Sequence, residues 1–221
     1  MNETVVVVTG AAPLDADAVA HIPPNAIVIA ADGALDHALA AGVTPAALVG
    51  DLDSISADGL AWAEAHTTIE RHDPAKDLTD TELALAMALS FAPARVVLIA
   101  GPGDRLDHTF TAIGALGAPG LTGVPVLEGW WGAQRFHVLH GPGRIHLVTE
   151  PGATISLVAT HGRCTGVSIT GAEWPLHDAE LAPLVGHGVS NVTTGADTEV
   201  TVSTGVLTIF SHPPATTKEL P

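Results

Sequence analysis

Basic side chains are scarce in this sequence of 221 residues, which has 8 Lys and Arg against 24 Asp and Glu and a formal net charge of −16. Nucleic acids and anionic membrane surfaces are bound mainly through clusters of basic side chains. The charge balance therefore argues against nucleic acid and membrane as partners. It favours cationic ligands and metal ions instead.

Cysteine and long apolar segments are lacking as well. The single cysteine, Cys164, has no partner for an internal disulfide, which is typical of a reducing compartment. The most apolar stretch, residues 83–100, is interrupted by Ser90, Pro93 and Arg95, so we predict no membrane-spanning helix. The N-terminus shows no basic region of the kind that opens a signal peptide. We therefore expect a cytoplasmic protein, and its 47% hydrophobic content is enough for a buried core.

Three common catalytic motifs are also missing from the sequence. There is no G-x-x-x-x-G-K-[ST] segment, and hence no Walker A phosphate loop. No G-x-G-x-x-G follows the first predicted strand, which argues against a dinucleotide-dependent oxidoreductase. The absence of G-x-S-x-G excludes an α/β-hydrolase nucleophile elbow.

Short apolar runs alternate with helical patterns in the first half of the chain. Strands are predicted at 4–9, 26–31, 47–49 and 95–100, and helices at 14–20, 33–41, 57–65, 78–91 and 107–116. The helix at 78–91 opens with a capping box in which Thr79 precedes Glu82 by three positions. Nearly continuous apolar strands with helices between them predict an α/β domain whose parallel sheet is covered on both faces.

The pattern changes after about Gly117 to short strand-like runs separated by Gly and Pro turns. These runs lie at 124–127, 135–139, 144–148, 154–159, 167–170, 199–202 and 206–210. Helical periodicity is almost absent there, which indicates a small antiparallel sandwich or barrel. We place the domain boundary between Gly129 and Gly143.

Twelve of the fourteen aspartates lie at or before Asp107, and several follow predicted strands or precede a helix. Four of these loops carry the candidate site residues, which are Asp32, Asp51, Asp53, Lys76, Asp77, Asp80, Arg105 and Asp107. Because ligands bind at the carboxyl ends of the strands in open α/β sheets, we expect these loops to bring carboxylates to one rim. Clustered carboxylates require a cation, and Mg²⁺ prefers oxygen ligands and substrate phosphates. The bases Lys76 and Arg105 are natural phosphate contacts.

Spacing supports this interpretation, although each acid has a structural alternative. Asp51 and Asp53, two apart in an extended turn, can point the same way, and Asp77 and Asp80 share a helix face. As alternatives, Asp32 can serve as a turn residue, and the two acid pairs can serve as helix caps. The joint occurrence of these acids at strand ends favours the functional interpretation.

Six segments in order resemble the motifs of the thiamine pyrophosphokinase (thiamin diphosphokinase) family. They are residues 31–33 (ADG), 48–55 (LVGDLDSI), 76–80 (KDLTD), 105–108 (RLDH), 168–176 (SITGAEWPL) and 188–191 (GVSN). The resemblance extends from about Val5 to Phe210. It implies an α/β N-terminal domain with a parallel Rossmann-like sheet over 1–130, which binds nucleotide and Mg²⁺. A C-terminal antiparallel β-sandwich over 140–212 would bind thiamine and form a homodimer.

The resemblance also implies an activity, the transfer of pyrophosphate from Mg²⁺-bound ATP to thiamine with release of AMP. The residues that it places in the catalytic group are Asp51, Asp53, Asp80, Arg105 and Asp107, of which Asp51, Asp53 and Asp80 would hold Mg²⁺. The residues that it places in substrate binding are Asp32, Lys76 and Asp77 for the nucleotide, and Ser168 and Trp174 for thiamine. An acidic site and an indole face suit thiamine, which is a cationic aromatic molecule.

Two other functions remain open at this point. The segment 48–53 also resembles the D-x-D motif of haloacid-dehalogenase-type phosphatases, in which the first aspartate attacks phosphorus covalently. The chain would then be a Mg²⁺-dependent phosphatase. Alternatively, it is a relative of the kinase family that binds ligands without turnover.

Overall fold

The computed structural model describes residues 3–103 and 105–212, and the chain separates into two compact units, Met1–Ala133 and Gln134–Pro221. Strands and helices alternate in the described part of the first unit. The strands are β1 (Thr4–Thr9), β2 (Ile27–Ala31), β3 (Ala47–Gly50), β4 (Thr68–Arg71), β5 (Arg95–Ala100) and β6 (Val126–Trp131). The helices are α1 (Ala16–Ala20), α2 (Ala34–Ala40), α3 (Ala57–His66), α4 (Asp80–Leu89) and α5 (Leu106–Ala115), and a 3-10 turn follows at Pro119–Leu121.

The six strands of the first unit form a parallel sheet in the order β4-β3-β2-β1-β5-β6. Val5 to Val8 of the central strand β1 are fully buried, as a strand between two layers of helices requires. The chain builds the sheet outward from β1 to β4 and then returns to the other side of β1 with β5. This reversal is the topological switch point at which such sheets bind ligands.

Strand β4 is absent from the strands predicted from the sequence. It has the polar sequence Thr-Ile-Glu-Arg, and three of its four residues are exposed. It lies at the edge of the sheet and pairs only with β3 among the described residues. An edge strand buries little of its surface, so it carries no apolar signal from which it could be predicted.

The second unit is built from two four-stranded antiparallel sheets. Its strands are β7 (Gln134–His140), β8 (Gly143–Val148), β9 (Thr154–Ala159), β10 (Cys164–Thr170), β11 (Leu176–Leu181), β12 (Asn191–Val192), β13 (Asp197–Val202) and β14 (Val206–His212). Their orders are β12-β9-β14-β7 and β11-β10-β13-β8. A short 3-10 turn lies at Gly186–Gly188.

One apolar core is shared by the two sheets of the second unit. Leu157 and Ile209 come from one sheet and Ile169 and Val200 from the other, and all four are buried in the same cluster. The second unit is therefore a sandwich, which decides between the two architectures that the sequence left open. The predicted fold class, a parallel α/β domain followed by an antiparallel β-sandwich, is confirmed. Within the described residues, none of the helices has the length and apolar character needed to cross a membrane.

Candidate active site

The carboxyl ends of the central strands of the first unit open into a cavity of about 610 Å³. Thr9 closes β1, Asp32 directly follows β2, and Asp51 directly follows β3, and all three line the cavity. The start of α4 supplies Asp80, because the capping box between Thr79 and Glu82 begins the helix at this point. Three of the four predicted loops therefore bring carboxylates to this cavity.

Three carboxylates lie close together in this cavity. Asp32, Asp51 and Asp80 each place one oxygen within 4.8 Å of those of the other two. Asp32 is buried, with 6% of its surface exposed, and its Oδ2 accepts a long hydrogen bond of 3.3 Å from the Ser54 amide. Its Oδ1 is buried without a hydrogen-bond partner among the described residues. Buried carboxylate oxygens without donors are suited to a hard cation such as Mg²⁺, so the donor set fits the ion that the family resemblance implies.

Gly50 makes the close approach of these carboxylates possible. A Cβ atom at this position would lie 3.0 Å from the Asp32 Cβ and 3.0 Å from the Asp80 Oδ1. The backbone also has a φ of +152°, which side-chain-bearing residues rarely adopt. Glycine is therefore required at the end of β3 by both the space and the backbone conformation.

Lys76 partly neutralises the three carboxylates. Its Nζ lies 2.6 Å from the Asp51 Oδ2 and 3.1 Å from the Asp80 Oδ1. The hydrogen bond from Lys76 lowers the pKa of Asp51 below its usual value. Burial opposes the charge of Lys76, but the hydrogen bonds to Asp51 and Asp80 outweigh it, and the pKa of Lys76 is raised.

The pKa of Asp32 is shifted in the opposite direction from that of Asp51. Burial, and next the negative charge of Asp80, raise the pKa of Asp32 above its usual value. A carboxyl group whose pKa is higher in the folded than in the unfolded protein disfavours folding once it is ionised. The ionised Asp32 therefore destabilises the fold when no cation is bound.

We expect Asp32→Asn to raise the melting temperature at pH 7 in the absence of divalent cations, because it removes this buried charge. Asparagine also tolerates the left-handed backbone that Asp32 adopts at a φ of +46°. The gain should shrink as the pH falls towards the ordinary aspartate pKa of about 3.9, where the wild-type carboxyl group is itself neutral. Thermal denaturation followed by circular dichroism measures both effects.

Asp36→Asn is the matched control for this experiment. The Asp36 carboxylate accepts hydrogen bonds from the Ser56 amide (2.7 Å) and the Ser56 hydroxyl (2.8 Å), so its charge is well partnered. That substitution should lower the melting temperature. A lower melting temperature for Asp32→Asn at pH 7 would show that its carboxylate stabilises the fold.

Asp53 lines the cavity but does not belong to the group of three carboxylates. Its side chain accepts a hydrogen bond of 2.8 Å from the Ser54 hydroxyl. Leu52, between the two aspartates, has a φ of +67°, so the segment is not extended and residues two apart do not share a direction. The role of Asp53 as a metal ligand stays a prediction, and the structure offers Asp32 as the third carboxylate.

The remaining candidates in the first unit lie outside the lining of the cavity. Asp77 is exposed, and Arg105 forms an exposed ion pair of 2.6 Å with Asp107. The hydrogen bond from Arg105 lowers the pKa of Asp107. Arg105 and Asp107 lie at the start of helix α5, and the next residue of this helix, His108, lines the cavity.

Other cavity residues were not singled out as site residues in the sequence. Trp131, at the end of β6, lines the cavity. The hydroxyl groups of Thr9 and Thr81 form a hydrogen bond of 2.5 Å that links the end of β1 to the first turn of α4. Position at the carboxyl end of a parallel strand was the available signal for Thr9 and Trp131.

The thiamine-binding candidates lie in the second unit, where a cavity of about 220 Å³ includes Trp174 and Asn191 in its lining. The Trp174 side chain is exposed, and its backbone is held by Asn191, whose Oδ1 accepts from the Trp174 amide (3.1 Å) and whose Nδ2 donates to its carbonyl (2.6 Å). Ser168 is not part of this lining. Its hydroxyl oxygen accepts a hydrogen bond of 3.0 Å from the Asp178 amide.

Each of the two units contains a match to a known protein-family domain. The thiamin pyrophosphokinase catalytic domain matches residues 21–124, and the thiamin pyrophosphokinase vitamin B1 binding domain matches residues 143–207. A search of curated proteins gave no match.

Similar solved structures include the thiamine pyrophosphokinase of Bacillus subtilis, with 21% identity, a TM-score of 0.82 and coverage of 96% of this chain and 99% of that one. The thiamin pyrophosphokinase of Geobacillus thermodenitrificans has 22% identity, a TM-score of 0.76 and coverage of 98% and 99%. That of Candida albicans has 15% identity, a TM-score of 0.74 and coverage of 95% and 88%. At these identities the structures establish a common fold, and the two domain matches cover well over half of the sequence. The chain belongs to the thiamin pyrophosphokinase family and is an enzyme of this kind.

Proposed function

We propose that this protein transfers a pyrophosphate group from Mg²⁺-bound ATP to the hydroxyl group of thiamine, which gives thiamine diphosphate and AMP. The family and the fold support thiamine diphosphorylation. The observation that carries the finer proposal is the cluster of Asp32, Asp51 and Asp80 at the switch point of the sheet, with the Asp32 Oδ1 lacking a donor among the described residues.

Asp32, Asp51 and Asp80 would hold the magnesium ion. When bound, the ion neutralises phosphate charge and orients the triphosphate. The chain itself supplies the other requirements of the reaction, which are position and charge. Lys76 lines the cavity, and Arg105 lies at an exposed position outside its lining. We assign these two basic residues to the phosphates. The predicted roles of Asp53, Asp77 and Asp107 around the nucleotide are part of this proposal.

The reaction needs no covalent intermediate with the protein. The thiamine hydroxyl oxygen forms a bond to the β-phosphorus, the bond between that phosphorus and the oxygen bridging to the α-phosphorus breaks, and AMP leaves. An aspartate of the rim would accept the hydroxyl proton as the bond forms. A cavity of about 610 Å³ with several carboxylates in its wall is consistent with a nucleotide and this proton transfer.

Thiamine would contact Trp174, with Ser168 as a second contact. A cationic aromatic ring gains energy against an indole face, and the formal net charge of −16 for the whole chain favours a cationic ligand. The two hydrogen bonds between Asn191 and the Trp174 backbone fix the chain that carries this ring.

Exposed apolar residues of the second unit support the predicted homodimer. Trp174 is 57% exposed, and Leu184, Val185 and Val189, which come from the segment before Asn191, are also exposed apolar residues. Exposed apolar residues in one region are typical of an interface between proteins. We propose a homodimer in the cytoplasm, and sedimentation equilibrium of the purified protein tests the oligomeric state.

Replacing Trp174 by alanine should raise the KM for thiamine about five- to thirtyfold, because the cation–π contact is worth on the order of 1–2 kcal/mol. The kcat should change much less, since Trp174 would bind substrate rather than reacting atoms. Trp174→Phe retains an aromatic face and should stay within about threefold of wild type. An unchanged thiamine KM in the alanine variant would show that thiamine binds elsewhere.

One assay separates this function from its alternatives. Purified protein is incubated with ATP, Mg²⁺ and thiamine, and the products are followed by chromatography. The proposal predicts AMP and thiamine diphosphate in equal amounts, and neither product without thiamine. A phosphatase of the haloacid-dehalogenase type would release inorganic phosphate without thiamine, and a ligand-binding relative would form no product. Either result would refute the proposal.

A further inference from the structure

The charge balance of the carboxylate cluster has one unusual feature. Lys76 forms ion pairs with two of the three carboxylates that would hold the metal ion, those of Asp51 and Asp80. The Lys76 side chain is only 14% exposed, and that of Asp51 is 11% exposed. The ammonium group of Lys76 therefore already places one positive charge at the carboxylates where the proposed function places a divalent cation.

The position of Lys76 is fixed by the chain around it. Its amide donates to the Asp73 carbonyl (3.1 Å), and the Ala75 amide donates to the Asp73 carboxylate (2.8 Å), which closes a turn just before α4. Lys76 and Asp80 are four positions apart, so their ion pair spans the entry to the helix. The ammonium group is thus directed at the cluster by local structure.

We propose that Lys76 competes with the divalent cation for Asp51 and Asp80, and that this competition makes metal binding depend on the nucleotide. The inference rests on the proposed function, because it concerns the same carboxylates. A cation that binds alone must displace the ammonium group from its two partners. The displaced ammonium would remain beside a dication with no new anion to pair with.

When the metal binds together with a triphosphate, the charges around Lys76 are balanced differently. The triphosphate brings several negative charges, and these give the displaced ammonium group new partners. Displacement of the ammonium group from Asp51 and Asp80 is thus unfavourable when the metal binds alone and favourable when the metal–nucleotide complex binds. Such coupling is reciprocal, so the metal must strengthen nucleotide binding by the same factor.

The alternative is that Lys76 is a permanent part of the metal site and lowers the repulsion between the carboxylates. The two roles predict opposite effects for loss of the ammonium group. If Lys76 competes, metal alone binds more tightly without it. If Lys76 only supports the carboxylates, metal alone binds equally or more weakly without it.

The test measures binding of Mn²⁺ alone to the nucleotide-free protein by isothermal titration calorimetry. We expect Lys76→Met to tighten the dissociation constant at least about tenfold, which corresponds to about 1.4 kcal/mol. Arg71→Met is the matched control. Arg71 is an exposed base paired in register with Gly50, so the same charge is lost nearby. Its effect should stay below about threefold, and Lys76→Arg should bind Mn²⁺ as weakly as wild type.

The second measurement repeats the titration with an ATP analogue whose α,β bridge is a methylene group. In the wild type the analogue should tighten Mn²⁺ binding, and in Lys76→Met this enhancement should be at least about tenfold smaller. Unchanged or weaker binding of Mn²⁺ alone by Lys76→Met would overturn the inference, and so would an undiminished enhancement by the analogue.

Two checks separate a folding defect and a failure of the proposed function. Removing Lys76 leaves Asp51 and Asp80 without their ion-pair partner, so Lys76→Met should melt at a lower temperature without metal and gain more from Mn²⁺ than wild type does. A smaller gain than in wild type contradicts the competition. If the wild type forms no thiamine diphosphate but Lys76→Met binds Mn²⁺ more tightly, the proposed function fails while the competition stands. If the wild type is active and Lys76→Met shows no tightening, only the competition fails.

Discussion

Replacing Asp80 by asparagine is expected to lower kcat/KM for Mg²⁺-ATP at least about 10³-fold, a loss of roughly 4 kcal/mol in transition-state stabilisation. Asp80 lies in the group of three carboxylates and pairs with Lys76, so the substitution removes a ligand charge that the reaction needs. The helix should still begin at the same residue, because its capping box is formed by Thr79 and Glu82. Steady-state kinetics with increasing Mg²⁺ measures the loss.

Asp58→Asn is the control for this change. Asp58 is an exposed acid in the first turn of α3, as Asp80 is an acid in the first turn of α4. The control loses the same charge from the first turn of a helix and should retain activity within about twofold. Retention of more than a tenth of wild-type kcat/KM by Asp80→Asn would remove Asp80 from the metal site.

The same assay tests whether Asp53 is a metal ligand. Asp53 lies in the cavity wall outside the group of three, so we expect Asp53→Asn to lose at least about tenfold less activity than Asp80→Asn. Equal losses for the two variants would return Asp53 to the ligand set that the family resemblance implied.

Replacing Gly50 by alanine should lower kcat/KM at least about 10²-fold and raise the Mg²⁺ concentration needed for half-maximal activity. The new methyl group would lie 3.0 Å from both the Asp32 Cβ and the Asp80 Oδ1, closer than such atoms normally come. The side chains of Asp32 and Asp80 must therefore shift, which disturbs the geometry that would hold the ion. Circular dichroism checks that the variant stays folded.

Gly42→Ala is the control for the strain in this variant. Gly42 also has a positive φ, +76°, but its Cβ would meet nothing within 4 Å. Alanine there should lower the free energy of unfolding by about 1 kcal/mol while activity stays close to wild type. If Gly50→Ala were as active as Gly42→Ala, the end of β3 would not need glycine for its function.

The central strands were readable from the sequence because burial on both faces leaves an unmistakable apolar run. Strands β1, β5 and β9 begin and end at the predicted residues, 4–9, 95–100 and 154–159. The edge strand β4 and the strand β11, with the sequence Leu-His-Asp-Ala-Glu-Leu, have polar sequences and were not predicted. Strands of this kind are specified by their neighbours rather than by their own composition.

The candidate site shows the same division. Aspartates at strand ends identified the rim, and Asp32, Asp51 and Asp80 were all among the candidates. Their grouping depended on tertiary structure, because the left-handed Leu52 separates Asp53 from Asp51, and Gly50 admits Asp32 and Asp80 at short range. Sequence periodicity cannot predict the positive φ of a single residue such as Leu52.

By itself, the sequence determined the fold class and the edge of the sheet where the chemistry would occur, since these follow from hydrophobic periodicity and from residue types at strand ends. It indicated the family through the resemblance of six ordered segments to known motifs. The tertiary structure alone decided which carboxylates meet, that Lys76 lies between Asp51 and Asp80, and that Arg105 pairs with Asp107 outside the cavity lining. The physical reason is range. Periodicity and capping act within a few residues, whereas the separations that set charge–charge energies in the cluster arise from loops up to about fifty positions apart.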